Sequence, residues 1–369
     1  MALKVLQLLP AMEEGGVERG TVEVCRALVA AGHEALVVSA GGRLQAALDD
    51  IGATHISWSV GKKSPLSLRW ISRLRALFEA ERIDVVHARS RLPAWLGYLA
   101  WKSIPQARRP RFVTTVHGFY SVTPYSTIMT RGERVIAVSN TIRDYIFSNY
   151  PQVDMNHVEV IHRGVDDREY PRDYQPSAQW LATWRQDFPE LVNKYVVALP
   201  GRLRRLKGHE QLLDLIARLR DRHHDLHGLI IGDDTNGSDY IQMLKRTVEQ
   251  SSLPVSFTGY RSDLKDIYTV VDVVLSLSTQ PESFGRTVLE PLCLGTPVIG
   301  YHQGGVGEIL DTMYPQGAVV PGDTEVLASR VSEFIADTPA VTCSNAFLLS
   351  SMQSKTLALY QKLCRAATG

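Results

Sequence analysis

Short runs of consecutive apolar residues alternate along almost the whole chain with longer stretches whose apolar positions recur every three or four residues. In the first half the short runs predict strands at Lys4–Leu9, Ala35–Ser39, Asp84–His87, Phe112–Val116 and Arg134–Val138. Helical spacing falls between them, for example over Val17–Ala31 and Leu66–Ala80. The second half repeats the arrangement. Strands are expected there at Tyr195–Pro200, Gly228–Ile231, Val255–Thr258, Val273–Leu277 and Val298–Gly300, with a helix at Glu210–His223. Strands that are apolar throughout and separated by helices belong to parallel sheets covered on both faces. Between the two sets, VIHRGVDDREYPRDYQPSAQ is rich in charge and proline and has no apolar period, as a domain connection does. An α/β chain is therefore expected, with two Rossmann-like, doubly wound domains over 1–165 and 166–349. Folds of this kind bind ligands at the carboxyl ends of their strands, so the two would face each other across a deep cleft. A helix over about 350–369 is expected to pack back on the first domain.

Composition changes this picture little. The 369 residues suffice for two full cores, and 44% hydrophobic with 21% charged residues is ordinary for a globular protein. The net charge of +1 hides an asymmetry: through Val165 there are 20 Lys/Arg against 14 Asp/Glu, and 20 against 25 thereafter. A basic first half favours a phosphorylated or membrane-surface partner. Cys25, Cys293, Cys343 and Cys364 form no C-x-x-C pair, and Cys25 and Cys293 fall in apolar helical patterns as buried thiols do. The start lacks the features of a signal peptide, and no apolar run approaches 18 residues. A cytoplasmic protein is expected, peripheral at most on the inner face of a membrane.

Four stretches carry candidate chemistry. PESFGRTVLEPLCLGTPVIG (Pro281–Gly300) reads as loop, helix, turn and strand, with Ser283 as N-cap and Gly295 as the C-terminal stop. The helix N-terminus near Phe284 and Gly285 offers free N–H groups to a phosphate. Glu282 and Glu290 would lie about 12 Å apart were the whole stretch helical, one toward each end of an extended ligand. A nucleotide-sugar, with hydroxyl-rich groups on both sides of a diphosphate, has that shape. LPGRLRRLKGHEQLL (Leu199–Leu213) ends a strand at Gly201 and delivers Arg202 and Lys207 to the same edge, where a guanidinium and an ammonium can hold a diphosphate. TTVHG places His117 at another strand end. EGGVERG (Glu14–Gly20) follows the first strand, and Gly15 and Gly16 would let the backbone approach a ligand. Its spacing is not G-x-G-x-x-G and no acidic residue ends the second strand, which argues against a dinucleotide dehydrogenase.

Together these stretches resemble the retaining glycosyltransferases of family 4, which have the GT-B fold. ESFGRTVLE is similar to that family's E-x7-E signature, GRLRRLKG to its phosphate-binding G-R-L-x-x-x-K-G, and GGVER to its N-terminal glycine loop. VIHRGVD resembles its interdomain V-I-x-N-G-V-D, and GTPVIGYHQGGVGEIL the segment whose paired glycines border the donor sugar. The resemblance implies that the first domain binds acceptor and the second a nucleotide-sugar. It implies that Arg202 and Lys207 hold the diphosphate and Glu290 the ribose. Glu282 and His117 would face the transferred sugar, Phe284 and Gly285 would offer backbone N–H groups, and Tyr260 would lie near the base. Arg163 replaces the family's hinge asparagine, and Pro291 a small residue.

No D-x-D motif occurs, and Asp233-Asp234 reads as a turn, so no metal and no cofactor are expected. Charge on the departing diphosphate would be offset by Arg202, Lys207 and the helix N-terminus. The family implies retention, by same-face attack with the departing phosphate as base. For the acceptor, VVHARSRLPAWLGYLAW aims His87, Arg89 and Arg91 toward the cleft and resembles bacterial enzymes of lipopolysaccharide assembly. Arg89 and Arg91 would then bind an anionic lipid-linked or lipopolysaccharide core glycan. A UDP-hexose is the expected donor, with GDP-mannose open, and no nucleic-acid partner is expected. The alternatives are a GT-B epimerase acting on the nucleotide-sugar and a non-catalytic nucleotide-sugar-binding scaffold.

Overall fold

A computed structural model describes residues 2–13, 15–235, 237–342 and 344–365; Glu14 of the glycine loop, Cys343 and the last four residues lie outside them. The chain forms two compact units, Met1–Gly164 with Leu349–Gly369, and Val165–Leu348.

The first unit is built on a seven-stranded parallel sheet. Its strands are β1 (Lys4–Leu8), β2 (Glu34–Ser39), β3 (Thr54–Ser57), β4 (Val85–Ala88), β5 (Arg111–Val116), β6 (Arg134–Ala137) and β7 (Val158–Val160), in the order β3-β2-β1-β4-β5-β6-β7. β4 is buried at all four positions, as a central parallel strand covered on both faces must be. The Gly16–Ala30 helix and the C-terminal Leu349–Arg365 helix cover one face, where Leu349, Met352, Leu359, Tyr360 and Leu363 join Cys25 and Leu28 in a single core. Fully burying such side chains contributes roughly 1.5–3 kcal/mol each, which is why a helix returning from the far end of the sequence stays on this unit.

The second unit carries six parallel strands: β8 (Tyr195–Pro200), β9 (Leu226–Ile231), β10 (Val255–Phe257), β11 (Val273–Ser276), β12 (Val298–Tyr301) and β13 (Ala318–Val319). Their order is β10-β9-β8-β11-β12-β13, with β8 at the point where the order reverses. The loops after β8, β11 and β12 therefore leave neighbouring positions on the carboxyl edge of one sheet, where doubly wound folds place their ligands. Each unit is a Rossmann-like domain.

Candidate functional site

Three loops meet on the carboxyl edge of the second unit. The first leaves β8 through Gly201 and ends in a short 3₁₀ turn, Arg205–Lys207, closed by Gly208 at φ 83°. A Cβ on Gly208 would lie 2.1 Å from the carbonyl oxygen of Leu277, so only glycine lets this loop press against the loop after β11. The contact is fixed by Thr279 N–H donating to the Leu206 carbonyl (2.9 Å). As a result Lys207 Nζ donates to Glu282 Oε1 at 2.7 Å, and Ser278 Oγ donates to the same oxygen. No donor engages the second oxygen of Glu282 among the described residues. Arg202, two residues past the end of β8, is exposed, and no described side chain pairs with it.

The third loop holds the backbone of Glu282. Gly304 has φ 60°, and a Cβ there would come within 2.5 Å of the Glu282 carbonyl oxygen; one on Gly305 would come within 2.4 Å of Phe284 Cα. Gly305 N–H donates to the Glu282 carbonyl at 2.7 Å, and Gln303 Nε2 to the Ser278 carbonyl at 2.6 Å. The paired glycines thus position the backbone carrying the first glutamate.

The adjoining helix spans Arg286–Leu294, with Gly285 at φ 116° as its N-cap and Gly295 at φ 92° as its end. Ser283 is not the cap, because the chain stays irregular until Gly285 passes under Val306, where a Cβ would meet Val306 Cγ2 at 2.9 Å. Glu282 consequently lies outside the helix, and the 12 Å helical separation does not apply. Glu290 does lie on it, 4% exposed, accepting from Arg286 Nε at 2.8 Å one turn back. Phe284 is buried edge-to-face against Phe347, and Tyr260 is 54% exposed on the loop after Gly259. Asp233 accepts from Thr235 N–H and Oγ1, and Asp234 pairs with Lys245, so Asp233-Asp234 is a turn as expected.

In the first unit His117 follows β5, and its Nδ1 accepts from Arg163 Nη2 at 2.8 Å. That bond puts the imidazole proton on Nε2, which is buried and meets no partner among the described residues. Burial, with the charges of Arg163, Arg89 and His87 around it, holds His117 well below the usual histidine range, so the ring is neutral at pH 7. The Arg163 guanidinium lies over the Gly16–Ala30 helix, where a Cβ on Gly20 would sit 1.7 Å from Nη1. A side chain on Gly20, which is a helix residue, would therefore displace the Arg163 guanidinium that bonds His117. A Cβ on Gly15 would meet only the flexible end of Glu18, and one on Gly16 nothing.

Arg89, just after β4, departs from the expectation, as does His87 within it. His87 and Arg89 point into the domain, not outward. His87 bonds Tyr360 OH and Thr115 Oγ1, both at 2.6 Å, and Arg89, 3% exposed, donates from Nε to Gln7 Oε1 at 2.5 Å. The C-terminal helix covers them, so Arg89 is not placed to touch an acceptor. Arg91 opens the next helix, with Nη1 on Ser126 Oγ and its guanidinium over Tyr120 and Tyr125. Cys25 is buried, its thiol pushed up to about 12 by burial, whereas Cys293 is only half-buried, against expectation. Ser278, Gln303 and Arg286 were not foreseen as site residues, although the i, i+4 spacing of Arg286 and Glu290 marks that pair in the sequence.

Residues 14–169 match the family Glycosyltransferase Family 4, and residues 182–345 match Glycosyl transferases group 1. The chain is 24% identical over 364 residues to an N-acetyl-alpha-D-glucosaminyl L-malate synthase of Bacillus anthracis, covering 91% of this chain and 88% of that one. A glycosyltransferase from Rickettsia africae shares the fold with a TM-score of 0.86 at 28% identity, covering 98% of both chains. An Anabaena protein crystallised with UDP and glucose superposes with a TM-score of 0.74 at 21% identity, over the full length of both.

Proposed function

We propose that this chain, which belongs to the family 4 glycosyltransferases of GT-B fold, moves a hexose from a UDP-sugar to a lipid-linked or lipopolysaccharide core glycan with retention at the anomeric carbon. The observation that carries the donor half is the Lys207–Glu282 pair, locked by glycine contacts onto one strand edge that also carries Arg202, which pairs with no side chain among the described residues. The ammonium and guanidinium attract the diphosphate, and the N-terminus of the Arg286–Leu294 helix adds its dipole. Glu282, with one oxygen held by Lys207 and Ser278, presents the other to sugar hydroxyls. Glu290, held by Arg286, would accept from the ribose hydroxyls, and in the first unit the His117 Nε2–H is a donor left for a sugar hydroxyl.

In the transfer, the bond from the anomeric carbon to the β-phosphate oxygen breaks and its electron pair leaves with UDP. The acceptor hydroxyl bonds to the same face of that carbon, and its proton passes to the departing phosphate oxygen. Arg202 and Lys207 offset the growing charge, so no metal is required. That the Anabaena protein was crystallised with UDP and glucose supports the choice of base and of a hexose. The positive excess of the first 165 residues, and Arg91 among tyrosines, support an anionic glycan. A second reading, transfer to a small hydroxy acid, is favoured by the similarity to the malate synthase over most of both chains.

Nucleotide-sugars screened by thermal shift, followed by transfer assays with excess EDTA, test the proposal. UDP-hexose should stabilise the protein and transfer should persist in EDTA. Loss of transfer restored by magnesium or manganese would overturn metal independence, and conversion of the donor to its epimer without acceptor would replace transfer by epimerisation.

A further inference from the structure

We infer that the turn and helix start at residues 62–75 form a docking surface for an anionic lipid bilayer, deepening the reading above by naming how the first unit meets a lipid-borne acceptor. Residues 51–78 contain no Asp or Glu, while Lys62, Lys63, Arg69, Arg73 and Arg75 lie within 14 positions. Among them stands the 3₁₀ turn Pro65–Leu68, with Leu66 72% and Leu68 62% exposed.

This exposure is built in. Ser67, between the two leucines, is buried, and its hydroxyl donates to the Lys62 carbonyl at 2.5 Å. Ser64 caps the turn by accepting from Leu66 N–H. With Ser67 turned inward, the leucines on either side are turned out. Beneath them, Trp70 is buried and stacked on Trp58 at 5.2 Å, with Arg69 and Arg73 over its ring at 4.8 and 5.1 Å. The guanidiniums are thus held near the leucines, and of the five cations only Arg75 has a carboxylate partner, Glu79, among the described residues.

Two exposed leucines ringed by cations fit the interface of a bilayer, where apolar side chains enter the acyl boundary and each nearby Lys or Arg adds about fivefold to binding on an anionic surface. Neither water nor a free phosphate would use the leucines. The turn follows the carboxyl end of β3, and its approach packs on the loop after β1: a Cβ on Gly61 would lie 2.5 Å from Pro10 Cβ. Docking therefore brings the carboxyl edge of the first unit's sheet, with the glycine loop and His117, toward the lipid surface.

Co-sedimentation of the full chain with phosphatidylcholine vesicles, with and without phosphatidylglycerol, tests this. Binding is expected on the anionic vesicles alone and should fall as salt rises. Leu66→Ser with Leu68→Ser should weaken it by roughly tenfold or more, and Lys62→Gln with Lys63→Gln by about 25-fold, with both melting temperatures near wild type because these side chains are exposed. Absence of binding by the wild-type chain, or binding retained by both double variants, would overturn the proposal. Release of UDP from donor without lipid should be unchanged in both variants. A chain that binds vesicles but never releases UDP would keep the docking surface and lose the transferase reading.

Discussion

Glu282 and Glu290 share a signature but not an environment. Glu282 is partly open, held at one oxygen by Lys207 and Ser278, whereas Glu290 is buried against Arg286. Glu282→Gln should lower turnover by roughly 10²–10³ with UDP affinity kept, because the charge it removes acts on the sugar as the bond breaks. Glu290→Gln should mainly weaken nucleotide binding, by the roughly 1.5–3 kcal/mol of a charge-assisted bond. Calorimetry and kinetics on both variants decide the assignment, and the reverse pattern would exchange the roles. His117 offers a spectroscopic check. Nitrogen shifts of its ring should show the Nε2–H form in the wild type, and Arg163→Met should mix the tautomers and raise the pKa toward its ordinary value. Unchanged shifts would remove Arg163 from any positioning role. Arg89 was misplaced by sequence reasoning for a physical reason: a residue just beyond a strand end is ordinarily solvent-facing, and nothing local announces that a helix about 270 positions later will cover it.

At the scale of elements, the strands legible in the sequence are those buried on both faces. The short edge strands β3, β7 and β13 were missed, because β3 and β7 have no fully buried position and β13 only two residues, too little for an apolar run. The helix cap was missed differently. Cap preferences point to Ser283, but close approach to Val306 requires a left-handed glycine at 285, and tertiary packing prevails over local preference. The same packing yields a prediction. Gly304→Ala and Gly208→Ala each force a side chain into backbone at positive φ, and each should cost about 1–3 kcal/mol and displace the Lys207–Glu282 pair. Gly16→Ala, at the first position of a helix with open space around it, should melt within a degree or two of the wild type. Equal losses at all three positions would show that the glycine contacts do not hold the site.

For the molecule as a whole, fold and family were legible because the motifs sit at the ends of strongly patterned strands, while the acceptor is not encoded in any comparable motif. No helix of the described residues is long and apolar enough to cross a membrane. Stability should depend on pH through histidines buried in neutral form. His209 is fully buried, burial lowers its pKa to about 4, and His87 and His117 are lowered as well. Below pH 6.5 the unfolded chain takes up protons that the folded chain refuses, so stability falls with falling pH by up to about 1.4 kcal/mol per unit for each such ring. For His209 this loss runs from pH 6.5 to about 4, and His209→Phe should flatten the decline of the melting temperature across that window. An unaltered slope would mean that the ring charges in place.

The central claim, that the carboxyl edge of the second unit holds the diphosphate of a nucleotide-sugar, is tested most directly by titrating UDP into the full chain in a calorimeter. Binding should be lost by roughly a hundredfold or more when Arg202→Ala and Lys207→Ala are combined, since two charge-assisted contacts of about 1.5–3 kcal/mol each are removed while the glycine-held backbone stays. A wild-type chain that does not bind UDP, or a double variant that binds it equally well, would contradict the account.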